Sequence, residues 1–517
     1  MELSSVNKKW DLIIIGGGIT GAGVLREAVR FGLRTLLLEK NDFAWGTSSK
    51  SSKLVHGGLR YLKQGRFLLT RAAVKEREAL LREAPGLVEP IKFLVPVFSG
   101  QSPGKWAIET GLTMYDIIAG KKQHRYNNKA GFSGFIPGIR ESGLKGGFSF
   151  FDARSDDTRL VMRLVNDAVA QGGWALNYTT VFEILRDTQG RLAGIRAKDT
   201  ETGQTRDLAA SAVINATGAW VETIHASPKK GYHLRPLRGS HLVFPAARLP
   251  VPCGISHMHP EDKRAVFIIP WEGAVLVGTT DLDHTDDLDI EPRVSTEEAR
   301  YLMQGIRSLF PDLDISLRDC LASFAGVRPV LSRSDRPPSS ESREHEVWAD
   351  AGLVSVTGGK LTTFRRLAWD ALMAARPFLP EFTTGRRAPA FEKIPVPDTP
   401  DTQISQKALR RLYGRYGMAA RQIIENAEAD DLGKIPGTET LWAELPHVAA
   451  NEFIRHLEDI MLRRVRLGLL LDGGGLKHLD RIKRLLSPVL PWDSSRWTEE
   501  IERYQKRWKR CYAPPRD

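Results

Sequence analysis

The 517-residue sequence predicts an α/β fold in which one domain is interrupted by another, followed by an all-helical C-terminal region. Three observations predict this arrangement. A short apolar run near the N-terminus ends in a glycine-rich turn, and two later apolar runs, near residues 215 and 355, end in further glycine turns. Long excursions of different composition separate the three turns. After residue 403 the apolar residues recur only with helical periods.

The first unit, residues 10–40, reads as a strand, a glycine turn, a helix and a second strand. Gly16, Gly18 and Gly21 have the G-x-G-x-x-G spacing, which allows a tight turn and close approach of backbone N–H groups to a pyrophosphate. The helix N-terminus that follows favours negative phosphates. Glu39 ends the second strand, where a carboxylate can accept hydrogen bonds from a ribose. The unit predicts a Rossmann-type dinucleotide site and, taken alone, fits NAD as well as FAD.

Hydroxyl side chains are concentrated in the loop after this acid. They belong to Thr47, Ser48, Ser49, Ser51 and Ser52. A solvated loop is the alternative, but the position next to the ribose-binding acid favours donors to a bound cofactor. His56 follows this loop within a glycine-rich segment. A lone histidine is more often structural, and its place beside the cofactor loop favours a functional role.

Two later strands also end in glycine turns. The residues concerned are Thr217 and Gly218 after the first, and Gly358, Gly359, Leu361 and Thr362 after the second. A sheet with three glycine turns and a serine-rich loop is typical of flavoproteins, and so these residues predict FAD as the cofactor. The cofactor-binding domain is then assembled from three distant pieces of chain.

This pattern predicts seven segments. Residues 10–87, 148–226 and 351–380 form the FAD-binding domain, residues 88–147 and 227–350 the substrate domain, residues 381–402 a linker, and residues 403–517 a C-terminal helical cap. The linker assignment depends on the proline-rich stretch at 394–400.

The bulk composition narrows the function classes. A net charge of +12 fits an anionic substrate, an anionic membrane surface or nucleic acid. No nucleic-acid-binding motif accompanies it, and nucleic acid is not an expected partner. The three cysteines are far apart, which indicates a reducing compartment and no cysteine-bound metal. With no long apolar run and no signal-peptide core, the sequence predicts a cytosolic protein or one attached to a membrane from the cytosolic side.

The apolar pattern at residues 106–118 allows two interpretations. Core packing is the favoured one. The alternative is a helix that lies in a bilayer interface, helped by Lys105, Lys121, Lys122 and Arg125.

Six stretches closely resemble the FAD-dependent glycerol-3-phosphate dehydrogenase family. They are residues 47–62, 215–220, 261–270, 278–281, 326–329 and 358–363. The resemblance covers roughly residues 10–375 and continues more weakly at 458–471. It implies a glutathione-reductase-like FAD-binding Rossmann domain, an inserted mixed-sheet substrate domain and a C-terminal all-helical cap domain.

The same resemblance implies an activity: oxidation of sn-glycerol 3-phosphate to dihydroxyacetone phosphate by hydride transfer from C2 to FAD. The electrons would pass to a membrane quinone. The implied location is cytoplasmic and peripheral, on an anionic membrane surface at the cytoplasmic side of the inner or plasma membrane. A homodimer is compatible with the sequence.

Site residues also follow from the resemblance. The catalytic residues it implies are His56 and Arg328, and the substrate-binding residues are Arg60, Tyr61, Thr280, Arg343 and Lys360. Imidazole suits a base or a partner of the C2 hydroxyl, and arginine suits phosphate binding or stabilisation of an alkoxide. The division of these roles between the histidine and Arg328 is open. Lys360 also suits a cofactor contact, and Thr280 a turn.

Two related activities are the alternatives. One is a soluble glycerol-3-phosphate oxidase that uses oxygen and needs no membrane. The other is an FAD-dependent amine or amino-acid oxidase, whose site would bind a carboxylate; the several cations near the cofactor segments favour a phosphate.

Overall fold

Two β-sheets and a C-terminal group of helices make up the computed structural model of the protein, which describes residues 2–59, 62, 65–225, 233–332, 344–383, 385, 388–397 and 404–516. The strands are β1 (Lys9–Ile15), β2 (Thr35–Leu38), β3 (Leu54–Val55), β4 (Val88–Phe98), β5 (Arg125–Asn128), β6 (Leu144–Ser155), β7 (Trp174–Leu176), β8 (Thr179–Arg186), β9 (Leu192–Asp199), β10 (Thr205–Asn215), β11 (His233–Pro245), β12 (Gly254–Met258), β13 (Ala265–Trp271), β14 (Ala274–Gly278), β15 (Leu282–Asp283), β16 (Ala322–Ser332), β17 (His345–Asp350) and β18 (Leu353–Gly358).

The helices alternate with strands up to residue 375 and then follow one another. They are α1 (Ile19–Arg30), α2 (Phe67–Glu83), α3 (Lys105–Ala119), α4 (Lys129–Phe135), α5 (Asp157–Ala170), α6 (Val221–Ile224), α7 (Thr296–Leu309), α8 (Phe364–Ala375), α9 (Gln406–Tyr416), α10 (Ala419–Glu425), α11 (Glu444–Asn451), α12 (Leu467–Leu470), α13 (Leu479–Leu486) and α14 (Ser494–Cys511). None of the helices among the described residues combines the length and the apolar character that crossing a membrane requires.

The first sheet has a parallel centre in the order β18-β10-β1-β2-β7, with β17 antiparallel at one edge. Leu12, Ile13 and Ile14 of β1 are fully buried, because helices cover one face of the sheet and the β8–β9 hairpin lies over the other. A strand covered on both faces is apolar throughout rather than alternating. Helix α1 packs against α5 and α8 on the helical face.

The second sheet has ten strands and is mainly antiparallel, in the order β15-β11-β14-β13-β12-β4-β6-β3, with β16 on β11 and β5 on β6. Helix α7 packs on one face, and its N-terminus is fixed by a capping box between Ser295 and Glu298. The C-terminal helices cover Trp271 and Phe324 on the other face and share one apolar core with them. The α/β fold with a helical C-terminal domain that the sequence predicts is therefore confirmed.

Sheet membership differs from the predicted domain limits at three strands. Strand β17 lies within the predicted substrate segment but pairs with β18 in the first sheet. Strand β3 lies within the predicted FAD-binding segment but pairs with β6 in the second sheet, and β6 itself crosses the predicted limit at residue 148. Each of these strands belongs to the sheet of its hydrogen-bonded partner, and of the three it is β6 that runs across a predicted limit. The domain limits themselves stay predictions.

Among the helical periods that the sequence predicts after residue 403, one covers residues 449–470, but this stretch does not form one helix. Helix α11 ends at Asn451, a π-helical turn spans Asp459–Arg464, and α12 begins at Leu467. The carboxylate of Asp459 accepts hydrogen bonds from the N–H groups of Arg455 and His456, at 3.0 and 2.9 Å. This side chain starts a new helical turn and so interrupts the helix that the apolar spacing alone predicts.

Candidate active site

The parallel strands β18, β10, β1 and β2 lie side by side, and so their carboxyl ends meet at one edge of the first sheet. A predicted glycine turn follows three of these ends, at residues 16–21, 216–218 and 358–359. Glu39 follows the fourth. Segments that are far apart in the sequence are thus brought together at the edge where α/β sheets bind their ligands.

Two fingerprint glycines are required by close approaches of the backbone. A Cβ atom at Gly21 would lie 1.9 Å from the carbonyl oxygen of Gly16, and one at Gly16 would lie 2.7 Å from that of Ala216. Gly16 also has a φ of +109°, in the region that favours glycine. The turn therefore carries no side chain at the N-terminus of α1, which is the cradle that a pyrophosphate needs.

Glu39 is held against this cradle. Its Oε2 accepts a hydrogen bond from the N–H group of Gly17 at 2.7 Å, and its Oε1 accepts one from Asn41 at 2.9 Å. Burial raises the pKa of Glu39, while the two N–H donors and Lys40 act in the opposite direction. The carboxylate is thereby fixed beside the phosphate cradle, at the place where a ribose would lie.

The hydroxyl groups of the serine-rich loop bond to the protein. Ser48 Oγ accepts from the N–H group of Ile19 at 3.0 Å, at the start of α1. The others have partners as follows: Thr47 donates to the Val327 carbonyl, Ser49 lies within hydrogen-bonding distance of the Trp45 and Gly46 carbonyls, Ser51 donates to Asp157, and Ser52 pairs with His241. These bonds fix the loop between α1, α5 and the second sheet. Their direct contact with a cofactor stays a prediction.

The turn after β10 is tied to the turn after β18. Thr217 Oγ1 donates to Asn215 Oδ1 at 2.7 Å, and Thr357 Oγ1 donates to the carbonyl oxygen of Gly218 at 2.9 Å. Gly358 is left-handed, with φ of +83°. The two turns therefore form one continuous surface at the edge of the sheet.

His56 lies against the last of the three turns. The single helical turn Leu361–Thr363 follows Gly359 and Lys360, and Thr362 Oγ1 donates to the carbonyl oxygen of His56 at 3.2 Å. The structure thus brings together His56, Lys360 and the turn that was predicted to contact the cofactor. His56 and Lys360 are partly exposed, although the Nζ atom of Lys360 is buried, and Thr362 of the turn is buried.

A cradle without side chains, a fixed acid and three converging glycine turns fit FAD, and they define the class of FAD-binding flavoproteins. Gly16, Gly18 and Gly21 would hold the pyrophosphate and Glu39 the ribose. The two later turns would lie along the remainder of the cofactor.

Arg328 reaches the site from the second sheet. Its Nη1 donates to Asp281 Oδ1 at 2.8 Å and its Nη2 donates to Thr279 Oγ1 at 2.9 Å. These bonds fix the plane of the guanidinium, whose side chain is 25% exposed. The preceding residue, Val327, accepts the hydrogen bond from Thr47 of the serine-rich loop. Arg328 is therefore a rigidly held cation next to the serine-rich loop.

Four predicted substrate residues have different outcomes. Thr280 is buried, and its hydroxyl accepts from Ser240 N at 2.9 Å and donates to Glu298 at 2.7 Å. These bonds hold the turn that follows β14, and a contact between Thr280 and the substrate stays a prediction. Arg60, Tyr61 and Arg343 lie outside the described residues.

His241 is a residue of the site that the sequence analysis missed. It lies in β11 with its ring stacked on Phe324, and its Nε2 is 2.9 Å from Ser52 Oγ of the serine-rich loop. Burial, and then the charges of Arg328 and Lys53, lower the pKa of His241 well below its ordinary value. It is therefore a neutral imidazole between the serine-rich loop and Arg328. No motif surrounds it, since its neighbours come from other strands.

A buried ion-pair network under the serine-rich loop was also missed. Lys53 Nζ donates to the carboxylate of Asp157 at 2.8 Å, and Arg466 donates to the same carboxylate. Burial and the charge of Arg466 lower the pKa of Lys53 to about 8. The sequence feature that could have predicted this network is the run of arginines at 463, 464 and 466 within an otherwise apolar stretch.

Comparison with known families agrees with the cofactor class. The FAD dependent oxidoreductase family matches residues 11–365, and the C-terminal domain of alpha-glycerophosphate oxidase matches residues 379–497.

Several relatives match nearly the whole chain. The aerobic glycerol-3-phosphate dehydrogenase of Bacillus subtilis (strain 168) is 33% identical over 98% of this chain and 96% of the relative. That of Staphylococcus saprophyticus is 32% identical over 89% of this chain and 87% of the relative. The chain therefore belongs to the FAD-dependent oxidoreductase family and, within it, groups with the aerobic glycerol-3-phosphate dehydrogenases.

Solved structures share the architecture. A glycerol-3-phosphate dehydrogenase from Bacillus halodurans, complexed with FAD, superposes with a TM-score of 0.74 at 27% identity, over 97% of this chain and 95% of that one. The L-alpha-glycerophosphate oxidase of Mycoplasma pneumoniae, with FAD bound, has a TM-score of 0.60 at 17% identity, over 75% of this chain and 100% of that one, and shows the fold alone.

Proposed function

We propose that this protein oxidises sn-glycerol 3-phosphate to dihydroxyacetone phosphate. The names of its full-length relatives supply the substrate. One observation of the site carries the proposal: Arg328 is held next to the cofactor loop by Asp281 and Thr279, with part of its guanidinium exposed. An arginine so placed can bind a phosphate or stabilise an alkoxide.

The reaction removes a hydride from C2 and a proton from the C2 hydroxyl. Bound FAD supplies the acceptor for the hydride. His56 is proposed to take the proton, because imidazole titrates near neutral pH and the backbone of this residue is bonded to the turn at residues 361–363. Arg328 is proposed to stabilise the negative charge that develops on the C2 oxygen.

The phosphate would be bound by further cations. Lys360 lies between the glycine turn after β18 and the helical turn that contacts His56, and it is proposed as one of them. Arg60, Tyr61 and Arg343 complete the proposed substrate site by their resemblance to the family positions.

We further propose that the protein binds an anionic membrane from the cytoplasmic side and passes its electrons to a quinone. Trp106 and Ile117 of α3 are 79% and 72% exposed. They lie roughly three helical turns apart and so on the same side of the helix. Neighbouring α2, which packs against α3, exposes Phe67 and Leu68. Exposed apolar side chains on adjacent helices, close to Lys105, are typical of an interfacial surface.

The buried side of α3 carries Leu112 and Tyr115, and so core packing and an interfacial role apply to opposite faces of this one helix. A homodimer stays a prediction, which analytical ultracentrifugation of the FAD-loaded protein would test.

The substrate proposal is tested by anaerobic addition of glycerol 3-phosphate to the FAD-loaded protein. We expect the visible absorbance of the oxidised flavin to bleach within the mixing time of a manual experiment. Glycine and other amines should leave it unchanged. Bleaching by glycine and not by glycerol 3-phosphate would instead identify an amine oxidase.

The membrane proposal is tested by flotation with anionic liposomes. The double variant Trp106→Glu/Ile117→Glu should lose flotation while its flavin is still reduced by substrate. Phe182→Glu, at a phenylalanine that is 53% exposed on β8, is the matched control and should float like the wild type. Rapid oxygen consumption by protein that does not float would favour the soluble oxidase.

A further inference from the structure

The peptide group that follows His56 is fixed at both of its polar atoms. Thr362 Oγ1 donates to the carbonyl oxygen of His56 at 3.2 Å. The N–H group of the same peptide belongs to Gly57 and donates to Asp152 Oδ1 at 3.1 Å. The orientation of this peptide, and with it the direction of the His56 side chain, therefore depends on two side chains from distant parts of the chain.

The position of Asp152 follows from strand pairing. In the antiparallel pair of β3 and β6, Leu54 lies opposite Arg154 and Val55 lies opposite Ala153. One residue further, Asp152 comes next to the chain at His56, where the backbone ladder ends. Its carboxylate replaces a backbone acceptor for Gly57.

Two buried side chains hold this carboxylate. Arg77 Nη1 donates to Asp152 Oδ1 at 3.2 Å and to the hydroxyl oxygen of Tyr115 at 2.8 Å. Tyr115 in turn donates its hydroxyl proton to Asp152 Oδ2 at 3.3 Å. The side chains of Arg77 and Asp152 are 1% and 7% exposed, and Tyr115 is 2% exposed. A network of this kind, with every member bonded to another, fixes a single arrangement.

The loop packs tightly on the same network. A Cβ atom at Gly57 would lie 2.1 Å from the Tyr115 hydroxyl oxygen and 2.7 Å from a methyl group of Val74. Burial raises the pKa of Tyr115 well above its ordinary value, and so its hydroxyl keeps the proton that it donates to the carboxylate. Because residue 57 is a glycine, its backbone can pack directly against Tyr115 and Val74, and this close packing restricts the movement of the loop.

We propose that Asp152, Arg77 and Tyr115 form a positioning network that sets the place of the His56 side chain for the oxidation. This inference rests on the proposed role of His56. Burying an arginine and a carboxylate is costly for stability, which is consistent with a role in fixing geometry. The three residues act through the His56–Gly57 peptide, and they are positioning residues rather than catalytic ones.

Asp152→Ala should lower kcat by about tenfold to a hundredfold, because a small displacement of a reacting group has effects of that order. KM for glycerol 3-phosphate and the flavin spectrum should stay nearly unchanged. Asp152→Asn should restore most of the rate, since its carbonyl oxygen can accept from Gly57 and Arg77 while its amide donates to the Tyr115 oxygen.

Tyr115→Phe keeps the ring and removes the hydroxyl, and it should lower kcat by roughly threefold to tenfold for the same reason. Tyr126→Phe is its matched control. The partly buried Tyr126 donates its hydroxyl proton to the carbonyl oxygen of Lys145 at 2.8 Å and is not part of the network around Asp152. That variant should keep the wild-type kcat.

A double-mutant cycle with His56→Ala separates positioning from a general structural effect. If Asp152 acts through His56, the double variant should be no slower than His56→Ala alone. Independent, multiplying losses would overturn the proposal.

The deciding experiment combines these kinetics with amide hydrogen exchange at Gly57 in the FAD-loaded protein. We expect exchange at Gly57 to be at least about tenfold faster in Asp152→Ala and near wild type in Asp152→Asn. Unchanged exchange in Asp152→Ala would overturn the proposal, and so would faster exchange with an unchanged kcat. If the alanine variant does not fold, Tyr115→Phe and Asp152→Asn give the same comparison. Failure of the proposed function would show differently, as a wild-type protein with slow Gly57 exchange whose flavin glycerol 3-phosphate does not reduce.

Discussion

The cofactor edge of the first sheet and the contact between the serine-rich loop and the C-terminal segment lie next to each other, yet they are built differently. At the cofactor edge, local turns of glycine leave room for a ligand. At the neighbouring contact, Asp42 accepts bonds from Arg463 and from both Nη atoms of Arg464, with all three side chains at most 2% exposed. The first region needs empty space, whereas the second needs a full set of charge partners.

The two regions are positioned by different kinds of residues. Glycine turns are specified by residues that are close in sequence. The position of the serine-rich loop is set by charges that come from more than 400 residues away, as the pair of Asp42 and Arg464 shows. The C-terminal segment is therefore part of the support of the cofactor site rather than an appended domain.

The largest effect is expected at this contact. Asp42→Ala would leave Arg463 and Arg464 buried without their shared carboxylate, and so the free energy of unfolding should fall by about 3–5 kcal/mol. Urea denaturation would measure it. Asp207→Ala is the matched control, since its carboxylate forms a similar two-bond pair with Arg196 at the surface, where solvent screens the charges, and its loss should be only a small fraction of that in Asp42→Ala. Equal losses of the free energy of unfolding in the two variants would show that the buried contact stabilises the protein no more than the surface pair does.

At the cofactor edge, Gly21→Ala should weaken FAD binding by about a hundredfold, because the added methyl group would meet the Gly16 carbonyl and overpacking of this kind costs a few kcal/mol. FAD retained after gel filtration is the measurement. Gly134→Ala, in α4 where a Cβ atom meets nothing within 4 Å, should retain FAD fully. Full retention in Gly21→Ala would show that the turn can relax.

Glu39→Ala is expected to weaken FAD binding by roughly tenfold, since a hydrogen bond to a charged group contributes about 1.5–3 kcal/mol and water can partly replace it. Fluorescence titration of the apoprotein with FAD would measure the change. Glu39→Gln keeps one acceptor and should lie between the alanine variant and the wild type. An unchanged affinity for FAD in Glu39→Ala would contradict the proposed contact between this carboxylate and the ribose.

The last effect concerns the pH dependence of stability and His456 of the C-terminal segment. Burial lowers the pKa of His456, but Glu201 and Glu500, with a further contribution from Asp459, outweigh it and raise the pKa to about 9. A raised pKa stabilises the folded state below the ordinary value of 6.5, and this contribution is lost as the pH rises through 9. Between pH 6 and pH 10 the wild type should lose up to about 3 kcal/mol more stability than His456→Gln in urea denaturation, at about 1.4 kcal/mol for each unit by which the pKa is raised. If the wild type and His456→Gln lose the same free energy of unfolding over this pH range, the ion pairs of His456 with Glu201 and Glu500 do not stabilise the fold.

The sequence predicted the cofactor edge because each of its parts carries a local signal. Gly16, Gly21 and Glu39 have the spacing that is typical of a dinucleotide-binding strand, helix and strand, and the apolar runs around them fit the same unit. The resemblance to a known family added His56 and Arg328, and their contacts with substrate stay predictions.

The parts that the sequence did not predict depend on partners from other strands and helices. His241 has no motif, since its ring is placed by Ser52 and Phe324 from other elements. The break at residues 452–456 was missed because a helical apolar period continues across it, while a buried carboxylate, Asp459, takes the N–H groups that the helix would use. Contacts of this kind are visible only once the chain has folded.

Arg328, held beside the serine-rich loop, is proposed to serve the oxidation of a phosphorylated alcohol. Stopped-flow measurement of flavin reduction by glycerol 3-phosphate in Arg328→Ala tests it most directly. We predict an intact flavin spectrum and a reduction rate lower by about a hundredfold or more, as for loss of a charge-stabilising group. Flavin reduction at the wild-type rate would contradict the account.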